Sequence, residues 1–321
     1  MTDDYDSPWK EAIEQYFEEF VAFFFPKAYK QIDWSRGYEF LDKELRQITK
    51  KAEISRKYVD KLVKVWLKDQ NEVWAVIHAD VQNQREEDFS RRMYVYNYRL
   101  FDRYGRHAAS FAVLGDANPN WRPSQFTQEL MGCKVNFKFP TVKLSDYRKK
   151  IQKLEKSRNP FAVVVMAHLK TQETAKDHVK RMNEKLAIVK MLYRKGFSKQ
   201  DIISLFRFID WIMELPEPMD SIFWQELEAA EKEEKMPYIT SVERLGYKRG
   251  IEEGVLKAIE LGLHIRFGQQ GLGLMNEISK IRNSQTLNAV YEGLKNVSEI
   301  GELRQLYKKG KRSKNAKTGL S

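Results

Sequence analysis

A chain of 321 residues, 42% of them hydrophobic, is long enough for two domains and apolar enough to build real cores, which excludes an intrinsically disordered protein. No apolar run reaches about 18 residues, so a membrane span is excluded, and Cys133, the single cysteine, rules out an intrachain disulfide and any multi-cysteine zinc site. Six of the eleven excess positive charges fall in the acid-free stretch YKKGKRSKNAKTGLS from residue 307, which has no core-forming residues and reads as a disordered tail drawn to polyanions.

The first ten residues, MTDDYDSPWK, are acidic and lack the basic start and apolar centre of a secretory signal. With one cysteine, the expected setting is reducing: the cytoplasm, near the nucleoid if DNA is the partner. Ser7-Pro8 opens a helix, because serine caps well and proline is tolerated at the first helical position. Ile13, Phe17, Phe20, Val21 and Phe24 keep its period up to Pro26. Residues 38–48 read as a short helix or irregular segment. The valine-rich stretch 58–67 alternates and reads as a strand. Asp69-Gln70-Asn71 forms a turn, and residues 72–82 return as a second strand.

Residues 86–104 read as a helix stopped by Gly105. The apolar run AASFAVL, 108–114, reads as a buried strand, so strand, helix and strand form a crossover with parallel pairing. One more strand is expected over 135–142. Beyond residue 145 the patterning is helical, at 146–155, 159–193, 198–214 and 221–235, with Pro216 and Pro218 as breaks. Two or three further helices follow over 241–306, loosened by Gly246, Gly250 and Gly254. The expected organisation is an α/β domain at 1–145, a helical domain at 146–240, a helical segment at 241–306 and a basic tail at 307–321.

Period-two alternation in the second strand puts His78, Asp80 and Gln82 on one face. Asp60 in the preceding strand can approach them across an antiparallel pair. Two carboxylates and a backbone carbonyl, that of Val81, make a hard-oxygen site suited to Mg²⁺, with Mn²⁺ as substitute. Such an ion polarises a phosphoryl oxygen and generates a nucleophile from water, which the amide of Gln82 would orient. Asp42 is a second acid candidate, and His78 reads as a strand histidine rather than a ligand. With 45 acidic residues in the chain, pairs at this spacing also arise by chance. On the plainer reading Asp60 meets solvent at a strand start and Asp80 caps a turn.

The helix that follows adds Arg91, Arg92 and Arg99 beside Tyr94, Tyr96 and Tyr98, residue types that serve phosphate contact and base stacking. Helical spacing assigns Met93, Tyr96 or Asn97, Leu100 and Tyr104 to one side, read as core, and sets Arg92, Arg99 and Arg103 nearer another. There is no GxxxxGK[ST], HExxH or GxSxG motif, and the five histidines show no metal-ligand spacing.

The stretches DSPWKEAIEQYFEEFVAFFFP, FLDKEL, YVDKLVKVW, IHADVQNQREEDFSRRMYVYNYRLFDRYG and VLGDANPNWRP, spanning about residues 6–123, resemble the Rpn/YhgA-like recombination-promoting nucleases, a transposase-like family of the PD-(D/E)XK nuclease superfamily. RKGFSKQDIISLFRFIDWIMELP and YITSVERLGYKRGIEEG extend the resemblance into the helical half. It implies a PD-(D/E)XK core, a mixed sheet flanked by helices, followed by an all-α region. It further implies a Mg²⁺-dependent DNA endonuclease tied to recombination or mobile elements. The family's strand aspartate falls on Asp60, its second acid on Asp80, its glutamine on Gln82, and its N-terminal aspartate and lysine on Asp6 and Lys10. One position departs: the family usually carries glutamate where this chain has Asp80, an arm shorter by one C–C bond.

The expected roles follow. Asp60, Asp80 and Val81 hold the metal, Gln82 positions water, and Asp6, Lys10 or Glu11 assists from the first helix. Arg92 and Arg99, with Lys308, Lys309, Lys311 and Arg312 of the tail, contact DNA. Pairing as a homodimer is left open. The alternative is a weakened or inactive nuclease fold that serves as a DNA-binding or protein-interaction module. A transposase with three spaced acids on another fold finds no support.

Overall fold

Strands with apolar side chains on both sides demand cover on both faces of their sheet, and this chain supplies it with helices from two distant stretches of sequence. The computed structural model describes residues 6–41, 43–45, 59–69, 72–80, 88–233, 241–281, 284–297 and 299–308. The chain divides into two compact units, Met1–Glu234 and Lys235–Ser321. No helix among the described residues is long and apolar enough to cross a membrane.

In the first unit, helices α1 (Asp6–Gln15), α2 (Phe17–Phe24) and α3 (Pro26–Tyr29) precede strands β1 (Glu39–Phe40), β2 (Val59–Trp66) and β3 (Glu72–Asp80). Helix α4 (Phe89–Tyr104) then leads to β4 (Ala108–Leu114), β5 (Gln125–Leu130), β6 (Cys133–Lys138) and β7 (Thr141–Lys143). The main sheet is five-stranded and mixed, in the order β1-β2-β3-β4-β7, and β5 and β6 form a separate hairpin. β1, β2 and β3 pair antiparallel, whereas β3, β4 and β7 run parallel. Parallel pairing of β3 and β4 needs a long crossover, and α4 provides it.

Helix α4 forms because Phe89, Met93, Tyr96 and Leu100 recur at helical spacing, and all four are buried. It stops at Gly105, which takes the left-handed conformation (φ 59°, ψ 24°) and donates its N–H to the Phe101 carbonyl. Its C-terminal half covers Leu62 and Trp74 of the sheet, together with Leu41 and Leu45. Its N-terminal half covers Ala112 and Leu114, with Phe139. On the opposite face, Phe17 meets Phe40 (5.7 Å between ring centroids) and Phe25 meets Phe111 (4.8 Å). The sheet therefore lies between α4 and the α1–α2 layer.

The helices after residue 145 do not stand apart. They are α5 (Ile151–Lys156), α6 (Pro160–Glu173), α7 (His178–Arg194), α8 (Lys199–Ile212) and α9 (Glu217–Glu233), and they belong to the same compact unit as the sheet. The expected boundary at 145/146 thus falls inside one unit, because Trp9 of α1 packs against Phe161 and His168 of α6 and Phe208 of α8, at 6.0–6.1 Å. Phe161 through Ala167 are buried without a break, which makes α6 the central helix of this half. Asn159 caps it by accepting from the Phe161 N–H, with Pro160 at the first helical position.

The strands expected at 58–67, 72–82 and 108–114 and the helix at 86–104 are present within their described residues. Other expectations need correction. The segment 38–48 includes edge strand β1 and a helical turn at 43–45. The single strand expected at 135–142 is two, because Pro140 interrupts it: β6 pairs with β5, and β7 joins β4. Residues 159–193 are two helices, the second capped by Asp177.

In the second unit, α10 (Ser241–Leu272), α11 (Met275–Ile278), α12 (Ser284–Asn296) and α13 (Ile300–Lys308) enclose Ile259, Leu263, Ile278, Leu287, Val290, Leu294 and Leu303. The helical run of α10 breaks at Gly268 (φ 57°, ψ −142°). A Cβ at Gly293 would meet the tip of the exposed Leu306 side chain, which would have to swing aside.

His168 makes the core of the first unit acid-sensitive. It is fully buried, its Nε2 donates to the Gly115 carbonyl at 2.9 Å, and burial pulls its pKa down to about 4. The unfolded ring titrates near 6.5. A lowered folded value means that the neutral ring's stabilisation is complete above about pH 6.5 and is lost as pH falls toward about 4, a change on the order of 3 kcal/mol. Urea unfolding across this window should show the loss, and His168→Gln should flatten it. An unchanged pH slope in that variant would place the acid sensitivity elsewhere.

Candidate metal centre

The pairing register of β2 and β3 decides which charges meet. Asp60 pairs with His78, and Val59 pairs with Ala79. Cross-strand partners share a face and alternate positions return to it, so Asp60, His78 and Asp80 occupy the same face as Leu62 and Trp74. This is the α4 face. Asp80 stands diagonally from Asp60, and such backbone positions are about 7–8 Å apart. The parallel strands then carry the row onward, Asp80 beside Leu114 and Leu114 beside Lys143. Their C-terminal ends form one edge of the sheet.

Lys61 fixes the phase of β2. It lies on the other face, 5% exposed, over the ring of Phe40, and pairs with Glu14 of α1. A shift by one residue would exchange the faces of Lys61 and Asp60.

That pairing also places the first-helix residues. Asp6, Lys10 and Glu11 lie on α1, which packs on the face opposite to Asp60 and Asp80. The structure does not bring Glu11 to the strand aspartates. It sits against α8, where burial raises its carboxyl above the ordinary range, Arg207 opposes this and Glu14 adds to it. Val81, Gln82 and Asp42 lie outside the described residues, as do Lys309, Lys311 and Arg312. Lys308 is the last residue of α13.

Arg92 requires a correction. Spacing turned it away from the core, yet it is 2% exposed, with its guanidinium over Phe89 at 5.2 Å and Tyr96 at 6.0 Å. Position 92 stands one turn before Tyr96, at the margin of the buried stripe, and arginine's flat group stacks on both rings. Arg99 is half-buried on the same helix.

A buried ion pair at the sheet edge was not foreseen. Asp116, just past β4, binds Lys143 at the end of β7, and both side chains are no more than 3% exposed. Lys143 Nζ also donates to the Trp121 carbonyl at 3.3 Å and lies 5.3 Å from the Trp121 ring centroid. Asp116 accepts from the Asn118 N–H at 2.9 Å, which shapes the turn leaving β4. The only local hint was an aspartate two residues after an apolar strand in VLGDANPNWRP.

No protein-family model, curated protein or solved structure matches the chain. The chemistry of the site therefore rests on its own residues. Among the described residues, no three His, Cys, Asp or Glu side chains gather as a metal cluster. The acidic pair that the register sets on one face of the strands is Asp60 and Asp80.

Removing one member of a buried pair strands a charge, which costs about 3–5 kcal/mol, far more than an exposed bridge. Asp116→Asn and Lys143→Met should each lower stability by about this amount. The double change Asp116→Leu with Lys143→Met should cost less than the two single losses combined. Chemical denaturation checks this, and single variants within about 1 kcal/mol of wild type would mean that the pair is not held in the folded protein.

Proposed function

We propose that the protein is a Mg²⁺-dependent DNA endonuclease with a PD-(D/E)XK core. The observation that carries this reading is the register that sets Asp60 and Asp80 diagonally on one face of paired strands. Asp60 and Asp80 would hold the ion with the Val81 carbonyl. A bound Mg²⁺ or Mn²⁺ supplies Lewis acidity toward a phosphoryl oxygen and lowers the pKa of water. The Gln82 amide would orient the attacking water, whose oxygen would bond to phosphorus as the P–O bond to the leaving oxygen breaks, with the water's proton passing through solvent to that oxygen. The mixed sheet with helices on both faces supports the reading, as does the resemblance of residues 6–123 to recombination-promoting nucleases.

One observation favours a second reading, a nuclease fold that binds DNA or a partner without cutting. Asp80 has a shorter arm than the glutamate usual in the resembling family, and small displacements of a catalytic group are costly.

The two readings part on cleavage. Plasmid DNA should be nicked or cut with Mg²⁺ or Mn²⁺ and protected by EDTA. Asp60→Ala and Asp80→Ala should each lower the rate by about a hundredfold or more, the several kcal/mol that the ion contributes. Their thermal midpoints should stay near wild type. Asp80→Glu should cut at least as fast as wild type. Equal cleavage by the Asp60→Ala/Asp80→Ala double variant would overturn the endonuclease reading at this site.

A further inference from the structure

The same sheet edge leads directly into a stripe of net positive charge. β3, β4 and β7 are parallel and end together, with Asp80, Leu114 and Lys143 in one row. Residue 144 follows immediately, in a 3₁₀ turn (Leu144–Lys150) that runs into α5. Leu144 and Leu154 are buried, and Tyr147 stacks on Phe23 at 5.3 Å, so one side of this segment is anchored in the core. Lys195 ties down its end by donating to the carbonyls of Leu154, Glu155 and Ser157. The other side carries Lys149, Lys150, Lys153 and Lys156, all exposed, with Arg158 just beyond.

The segment holds two acids, Asp146 and Glu155, against these four lysines. Asp146 accepts two hydrogen bonds from Arg122, at 2.8 and 2.5 Å, and its carboxyl is held below the ordinary range by that contact. Glu155 lies in the field of Lys195. Among the described residues, none forms an ion pair with Lys149, Lys153 or Lys156. A rigid support and several exposed cations that outnumber the nearby carboxylates are the attributes of a surface that tracks a polyanion.

We infer that the Lys149–Lys150–Lys153–Lys156 stripe is a docking track for the phosphate backbone of duplex DNA, leading the strand toward the Asp80 end of the sheet. From Lys149 to Lys156 the segment advances about 12 Å, combining 3₁₀ and α rise. That length matches about three to four steps of one DNA strand at about 3.4 Å each. Lysines on flexible stems bind phosphates as point charges and read no sequence, so the track confers position rather than specificity. The inference takes the identity of the polyanion from the proposed function, but it concerns binding alone.

Full-length protein in EDTA, titrated into a fluorescent 20-base-pair duplex at several salt concentrations, tests it without any cleavage step. The variant Lys149→Glu/Lys150→Glu/Lys153→Glu/Lys156→Glu should bind more weakly, and its slope of log K against log salt should shrink by about three units, at about 0.9 per lost phosphate contact. A control with the same charge change at exposed sites elsewhere, Lys27→Glu/Lys30→Glu/Lys176→Glu/Lys180→Glu, should keep its slope within about one unit of wild type. Circular dichroism confirms folding, and a Lys→Gln version of the stripe variant replaces it if the glutamates unfold the segment. A wild-type slope in the stripe variant, equal losses in both variants, or no duplex binding by the wild type would overturn the inference. So would stripe-dependent binding to phosphatidylserine vesicles without duplex binding. Stripe-dependent binding by a protein that cuts nothing would instead retain the track and remove the endonuclease reading.

Discussion

Strand alternation is the constraint on which the rest of this structure depends. β2 carries a charge on each face in succession, Asp60 and then Lys61, and a sheet with both sides covered cannot accept them in the wrong order. Lys61 lies under α1 with Glu14 as its partner, and Asp60 lies on the side of α4. A slip of one residue would bury a carboxylate beneath α1 and leave Glu14 facing the wrong strand position. A lysine that is 6% exposed at its side chain needs that carboxylate, and such a need outweighs the fraction of a kcal/mol that an exposed bridge contributes. The register it selects is the one that puts Asp60 and Asp80 on a shared face.

Apolar clusters under α4 support the sheet up to its polar edge. The stripe of α4 divides into two groups, one over Leu62 and Trp74 and one over Ala112 and Leu114. Asp116 and Lys143 close the far end of the edge, and His168 reaches the Gly115 carbonyl from α6 beneath. The helices after residue 145 are thus structural partners of the strands. Trp9 joins them to the first helix, and Lys195 fixes the basic segment that leaves β7.

Much of this was legible in the sequence where periodicity is strong. Valine-rich alternation revealed β2 and β3, a continuous apolar run revealed β4, and a stripe at helical spacing revealed α4 with its glycine stop. The shared face of Asp60 and Asp80 follows from the same alternation once the strands pair. What was missed lacks local signal. β5, QFTQEL, is exposed along almost its whole length, so no apolar pattern marks it. It exists because Met131 and Gly132 adopt positive φ in a two-residue hairpin turn and because Phe126 stacks on Tyr94 of α4 at 4.9 Å. The Asp116–Lys143 pair joins residues 27 apart, and each alone looks like an ordinary surface charge. Arg92 looked exposed because arginine usually is, and only the two rings beside it explain its burial. The boundary at 145 followed a change in composition, whereas compactness follows contacts such as those of Trp9.

The central claim is that one cation sits between Asp60 and Asp80. Anomalous diffraction from crystals soaked in Mn²⁺ measures this most directly. The account predicts a single strong peak within about 2.0–2.6 Å of an oxygen from each of the two carboxylates. A peak bound elsewhere, or none between carboxylates that point apart, would contradict it.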